Sequence, residues 1–361
     1  MTLTGQHDEV HNVVRLIQAS LLIVYDNNRQ THGNLNMAAR RAHGVQRVLT
    51  KLESSVKAGD YYEAHQMYRT LYFRYLAQKK YEELLQLIHE GATWLLTNDQ
   101  LTSGADLSIL FVDVLQKSEN APSDDYFKKL SRLFEMIGPE IPERETFLSN
   151  ALQWSTKGLK DHRNGHPNLH KYIAQVYWKE KNYTLARHHF LHSEDGTGCA
   201  TMLVELHRQR GFACEVDLFI AQAVLQYLCL QNKQSAVEAF KCYTKQHPNI
   251  QAGPPYILPL LNFIWFLLQT VESGKLAAFI VLCEKYEPSI KRDPSYTEYL
   301  DKISQIFFGV AAARPKTQGF LGNFLSSIFS ELGNSDSSDE DTPNEPCPST
   351  SRLHMETDNA N

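Results

Sequence analysis

The chain has 361 residues, 42% hydrophobic and 11% aromatic, enough apolar material for a sizeable core. Its 36 Lys and Arg against 41 Asp and Glu give a formal net charge of −5. That excludes nucleic acid as the main partner, because neutralising phosphates needs a basic excess.

Residues 1–42 read as an irregular extension. Met1 to Val10 carries Asp8 and Glu9 without a basic run, and the apolar run from Val13 to Tyr25 is broken by Arg15 and Gln18, so no signal peptide is expected. From Gly44 to Ala121 there is no proline, and apolar residues recur at helical spacing. Ala64, Tyr68, Leu71 and Tyr75 form one stripe; Leu107, Leu110, Phe111, Val114 and Leu115 form another. Breakers then cut the chain into helix-length pieces: Asn98-Asp99, Pro122, Pro139, Pro142, Gly165 to Pro167, Asp195 to Gly198, Gly211, Pro248, Pro254-Pro255, Pro288 and Pro294. The pieces repeat. Gly59-Asp60-Tyr61, Lys79-Lys80-Tyr81 and Lys181-Asn182-Tyr183 each open a helix. Ala174 and Tyr177, followed by Tyr183, Ala186 and Phe190, fit the tetratricopeptide pattern of small residues facing aromatics. The fold class is all-α, a tetratricopeptide-like α-solenoid of stacked antiparallel helix pairs. The longest apolar run, Ile257 to Val271, falls short of the roughly 20 residues a membrane span needs and reads as a buried helix.

Segment by segment, the expectation is an N-terminal extension (1–42), two solenoid halves (43–180 and 181–315), an amphipathic helix (316–332) and a disordered acidic tail (333–361). The amphipathic helix carries Phe320, Phe324 and Ile328 on one stripe and is expected to cap the solenoid. The tail holds seven acids and one base, so the rest of the chain is close to neutral. Its Ser337 and Ser338 lie among acids and are candidate phosphorylation sites. All six cysteines lack a CxxC partner, and five occupy helix-like apolar stretches. They read as buried free thiols of a reducing cytosol.

No chemistry-bearing set is complete. His162, His166 and His170, and then His188, His189 and His192, have helical spacing but lack the third ligand or the Glu that a metal site needs. Asp195-Gly196-Thr197-Gly198 lacks the strand and the Lys-Ser/Thr pair of a phosphate loop. Asp124-Asp125 reads as a helix N-terminal charge pair. No catalytic residue, cofactor or metal is expected. Two surface features remain: Tyr62, His65, Gln66 and Arg69 off the Ala64–Tyr68 stripe, and Asp106 with Asp113, seven apart and so on one side of a helix.

Certain strings go further. Gly44-Val45-Gln46-Arg47-Val48, the run from Gly59 to Thr70, Ser103-Gly104-Ala105-Asp106-Leu107, Gly165-His166-Pro167, the run from Leu258 to Leu268, Arg292-Asp293-Pro294 and Phe307-Phe308-Gly309-Val310 closely resemble the Golgi-to-ER traffic protein 4 family. The likeness covers about Gly44 to Leu332. It implies a cytosolic, non-catalytic adaptor that delivers tail-anchored membrane proteins by bridging a targeting ATPase to a client-holding complex. That complex is a large BAG-domain scaffold carrying a ubiquitin-like subunit. The resemblance puts Tyr61, Tyr62 and His65 in the ATPase-binding helices, and Asp106 and Asp113 at the acidic positions that regulate the ATPase. It puts Pro254, Pro255, Tyr256, Leu260 and Phe263 at the scaffold-binding end. The short stretch from Gln251 to Leu258 favours the scaffold as the direct partner there, with the ubiquitin-like subunit held indirectly. Neither nucleic acid nor stable membrane insertion is implied. The competing reading from fold alone is a helical-repeat subunit of another cytosolic complex.

Overall fold

The computed structural model describes residues 11–22, 37–118, 120–159 and 164–311. Among these residues the regular structure is helical throughout. Residues 11–22 form α1. Then follow α2 (Met37–Ala58), α3 (Tyr61–Ala77), α4 (Tyr81–Thr97), α5 (Leu101–Lys117), α6 (Asp124–Ile137), α7 (Glu143–Ser155), α8 (Pro167–Lys179), α9 (Tyr183–Leu191) and α10 (Gly196–Arg210). A 3₁₀ turn at Ala213–Glu215 leads into α11 (Val216–Cys229), α12 (Lys233–Gln246), α13 (Pro259–Ser273), α14 (Leu276–Lys285), α15 (Glu287–Ile290) and α16 (Ser295–Phe308). The amphipathic segment 316–332 and the tail with Ser337 and Ser338 lie outside the described residues.

One turn makes many of the corners. Gly59, Lys79, Asp99, Lys181 and Gln231 all have positive φ, between 55° and 71°. In each case the next residue's N–H reaches back to a carbonyl of the finished helix. Asp60 donates to Ser55, Lys80 to Tyr75, Gln100 to Leu95, Asn182 to Tyr177 and Asn232 to Tyr227, at 2.9 to 3.1 Å. This is the left-handed C-cap that satisfies a helix's last carbonyls. The residue after it caps the next helix: the Asp60, Asn182 and Asn232 side chains accept from Glu63, Leu185 and Ser235 N–H. The three repeated strings of the sequence are therefore one structural device, and only Gly59 occupies it without steric cost.

Helices so joined pack on the next element and on the next but one. α3 lies on α2, α4 and α5; α5 lies on α4 and α7; α8 lies on α6 and α9; α12 lies on α10, α11 and α13. Both expected stripes are buried, Leu110 only partly, and so are Ala174, Tyr177, Tyr183, Ala186 and Phe190 of the α8–α9 pair. The Ile257–Val271 run supplies α13, with Leu260, Leu261, Phe263, Ile264, Leu267 and Val271 inside. No helix among the described residues is long and apolar enough to cross a membrane. α16 folds back onto α11. The buried Asp217 holds Arg292 at 2.6 Å, and the Tyr296 hydroxyl donates to the Leu218 carbonyl at 3.2 Å.

Three expectations need correction. Residues 11–22 are not irregular: Val13, Val14 and Ile17 join the core, and the Gln18 amide donates to Glu53 at 2.9 Å. Arg15 and Gln18, which break the apolar run, occupy the less buried face of α1. Residues 37–42 are likewise helical, as the start of α2. Of the five described cysteines, Cys199, Cys229 and Cys283 are buried, but Cys214 is exposed and Cys242 half-buried.

Buried imidazoles mark this core. His170 Nδ1 and His189 Nδ1 lie 2.8 Å apart, as do His207 Nδ1 and His247 Nε2. Burial, followed by the neighbouring imidazoles, pushes His189 far down. Burial, reinforced by nearby cations including Lys129, lowers His89 to about 4 from 6.5. The unfolded chain therefore takes up these protons first, and folding stability falls as pH drops from 6.5 towards 4. Each such group contributes up to about 1.4 kcal/mol per pH unit. Thermal unfolding should show Tm declining across that window, and His89→Gln should flatten the decline.

Close packing sets a second expectation. Gly196 opens α10 where it crosses α12, and a Cβ there would collide with the Ser235 carbonyl oxygen and lie 3.1 Å from the Ala239 nitrogen. Both are backbone atoms and cannot rotate away. Gly196→Ala should therefore cost about 3 kcal/mol in urea unfolding despite alanine's better helix propensity.

Candidate partner-binding surfaces

α3 and α5 run parallel, with α4 returning between them. Residues seven apart on one helix therefore meet residues seven apart on the other. On the first rung, His65 Nε2 lies 2.8 Å from Asp106 Oδ2, and Arg69 donates to both Asp106 oxygens at 3.1 Å. On the second, the Tyr72 hydroxyl donates to Asp113, and Lys117 donates to Asp113 at 2.7 Å and to the Tyr72 oxygen at 3.1 Å. Burial raises the Asp106 carboxyl, but the His65 hydrogen bond and the Arg69 guanidinium outweigh it and leave the group below its ordinary value. Lys117 is raised by its bonds to Asp113 and Tyr72. Tyr72 is raised by burial first and Asp113 second. The two acids expected to form an open acidic face are thus each engaged by cations of the same chain.

The tyrosines separate. Tyr61 turns inward, its ring 5.1 Å from Trp94 and its hydroxyl donating to Asn98 at 3.2 Å. Tyr62 points out and is 75% exposed, as Phe73 is at 61%. The face is therefore two neutralised charge rungs on helices that also display two bare aromatic rings. Arg69 was legible as a surface residue; Lys117 was missed, although its place four residues after Asp113 was the signal for it. Tyr72 and Phe73 carried no separate signal, because a stripe of buried aromatics hides which ring sits at its edge.

The second surface lies between α12 and α13. Residues 252–256 roof a groove of about 600 Å³ walled by Val237, Phe240, Trp265 and Leu268, with Lys241 and Lys245 along it. Asn262 holds the roof: the Tyr256 N–H donates to its Oδ1 and its Nδ2 donates to the Tyr256 carbonyl, both at 2.7 Å. Pro254 and Tyr256 line the groove, and Pro255 is exposed beside them. Leu260 and Phe263 are not part of it. Both are 0% exposed, on the inward stripe of α13, and cannot meet a partner. Trp265 and Leu268 stand on the groove face instead, with Ile257 71% exposed at its approach. Periodicity could not tell the buried side of α13 from its groove side, since the helix is apolar almost all round.

The histidine and glycine motifs act as structure. His166 is the N-cap of α8, accepting from the Asn168 N–H; Asp195 caps α10 through Gly198. Asp124 and Asp125 pair with Lys128 and Lys129 one turn on.

Residues 78–329 match the profile of the family described as Golgi to ER traffic protein 4. The chain belongs to this family. The Golgi to ER traffic protein 4 homolog of Bos taurus is 53% identical over 308 residues, 84% of this chain and 94% of its own. The homolog of Homo sapiens is 51% identical over 311 residues, 86% and 94%. The crystal structure of Get4 from C. therm. matches with a TM-score of 0.67 at 27% identity, covering 83% of this chain and 100% of that one. The helical-repeat fold and the family assignment therefore agree. In this Golgi to ER traffic protein 4 family member, residues 11–77 precede the matched profile, and α3 with its half of both rungs lies there.

The first rung is directly measurable. Asp106 should titrate below 3.8, and Arg69→Ala should move it up. Because the folded value is lowered, the rung's contribution is complete above 3.8 and is lost as pH falls below it. Carboxyl-carbon NMR on both proteins checks the order.

Proposed function

We propose that this chain is a non-catalytic cytosolic adaptor in Golgi-to-ER traffic. It would tether the ATPase that targets tail-anchored proteins to a BAG-domain scaffold with its ubiquitin-like subunit, the latter held indirectly. What carries the reading is the presence, in one helical array, of two unlike surfaces. The α3–α5 face offers Tyr62, Phe73 and the Asp106 and Asp113 rungs. The α12–α13 groove offers an apolar trough edged by two lysines and Glu272. The names of the relatives support the traffic role.

The adaptor mechanism follows from linkage. Holding the ATPase beside a loaded scaffold raises their effective mutual concentration and speeds client transfer without a bond being made or broken. The rungs add a condition. A basic residue of the ATPase that reaches Asp106 must share or displace Arg69, so contact there exchanges one ion pair for another. Such an exchange gives register and selectivity more than raw affinity. The exposed Tyr62 and Phe73 would supply the apolar area.

The test uses the full-length chain with purified ATPase and scaffold. Asp106→Lys with Asp113→Lys should weaken ATPase binding about tenfold, roughly 1.4 kcal/mol, and leave scaffold binding intact. Trp265→Ala with Tyr256→Ala should do the reverse. If both partners respond to the same pair of substitutions, or neither partner binds, the two-surface adaptor is wrong. Copurification with a different multi-subunit complex would favour the general scaffold reading.

A further inference from the structure

A third surface has no role in that reading. A cleft of about 630 Å³ opens where the α8–α9 turn meets the C-terminal ends of α10 and α11. Its charges do not cancel. Glu180 is engaged by the buried Arg144, which stacks on the Phe134 ring. Lys181 lies 2.6 Å from Glu205, which also accepts from the Tyr183 hydroxyl at 2.7 Å. Two guanidinium groups are left over. Among the described residues, neither Arg187 nor Arg210 has a carboxylate within ion-pair distance.

Arg187 is the stronger evidence. It is half-buried, and it donates to the Gln226 side-chain oxygen at 2.6 Å. The ionisable groups that act on it are Cys199, Tyr299 and Tyr296, a thiol and two phenols, with no carboxylate among them. A guanidinium withdrawn from water with only a neutral amide as acceptor lies in a costly environment, which an incoming anion relieves. Gln226 is itself fixed, because its amide donates to the Tyr299 hydroxyl at 3.0 Å. Arg187 is therefore held in place at the cleft. Arg210 lies over the Tyr183 ring at 5.2 Å, which positions it at the rim while its N–H groups have no acceptor among the described residues. The first turn of α9, with Tyr183 and Thr184, borders the same space and adds the positive end of a helix.

We propose that this cleft binds an acidic peptide segment of a partner protein, its carboxylates on Arg187 and Arg210 and an aliphatic side chain against Leu191 and Leu206. Bidentate guanidinium donation to carboxylates is the matching chemistry. The size and the leucine walls favour a peptide. A lone oxyanion would fill a small part of the cleft and leave its apolar wall bare. The site lies away from both surfaces assigned above, so it stands or falls independently of them.

The experiment is fluorescence anisotropy on the full-length protein with a labelled Glu-Glu-Leu-Glu-Glu-Leu peptide. Binding should weaken as salt rises. A Gln-Gln-Leu-Gln-Gln-Leu peptide should bind at least about tenfold more weakly, and so should the original peptide to Arg187→Gln with Arg210→Gln. Arg210 is exposed, so Arg210→Glu leaves the fold intact; it should by itself cost about tenfold and serves if Arg187→Gln does not fold. The proposal is overturned if the wild-type protein fails to bind the peptide, or if folded Arg210→Glu binds it as wild type does. It is also overturned if excess inorganic phosphate displaces the peptide fully while replacing the peptide's leucines by alanine has no effect, since the site would then take a free anion.

Discussion

The left-handed corner is the constraint on which the rest depends. It ends one helix, caps its last carbonyls and starts the next within two residues. Where it recurs at Gly59, Lys79 and Asp99, it forces α2, α3, α4 and α5 to alternate in direction. Two helices separated by one such return run parallel, and only parallel neighbours can match a seven-residue interval on one with a seven-residue interval on the other. The His65–Asp106 and Tyr72–Asp113 rungs are thus a consequence of turn geometry. Four of the five positions hold Lys, Asp or Gln, residues that adopt this conformation at a cost of about 1 kcal/mol each. Packing of the joined helices must offset that cost, and each joined pair does bury large rings, Tyr68 in α3 and Phe190 in α9 among them.

Charge is handled the same way in most of the molecule: where an ion is withdrawn from water, the chain supplies the partner. Arg144 has Glu180, Asp217 has Arg292, and Asp106 has Arg69 and His65. A buried charge without a counter-charge is expensive, so this is the expected pattern. It has a functional consequence at α3–α5. An acid already bound by the protein's own guanidinium is not a bare attractor but an exchangeable one, and recognition there becomes a choice between partners of similar chemistry. The same rule is what makes Arg187 stand out.

Apolar residues are allocated less legibly than charges. α13 is apolar on nearly every face, so periodicity identified the helix but could not separate the Leu260 and Phe263 side, which enters the core, from the Trp265 and Leu268 side, which walls a groove. The start of the chain shows the opposite failure. Arg15 and Gln18 interrupt the apolar run from Val13 and masked the spacing of Val13, Val14 and Ile17, which is helical and buried. In both places the decisive information was which neighbour a face meets.

What the sequence determined by itself was local and periodic: an all-α chain, the corners at Gly59, Lys79 and Lys181, the buried stripes of α3, α5 and α8–α9, and, through long matching strings, the family. These follow from spacing and turn chemistry within a few residues, which neighbours along the chain decide. Only the tertiary structure decided that His65 and Tyr72 reach across to Asp106 and Asp113, that Tyr61 and Tyr62 part company, that Leu260 and Phe263 are core, and that Arg187 meets no carboxylate among the described residues. The Tyr61–Asn98, His65–Asp106, Tyr72–Asp113 and Arg187–Gln226 contacts join residues 37 to 41 positions apart, and no local pattern encodes a contact made across a parallel or returning helix.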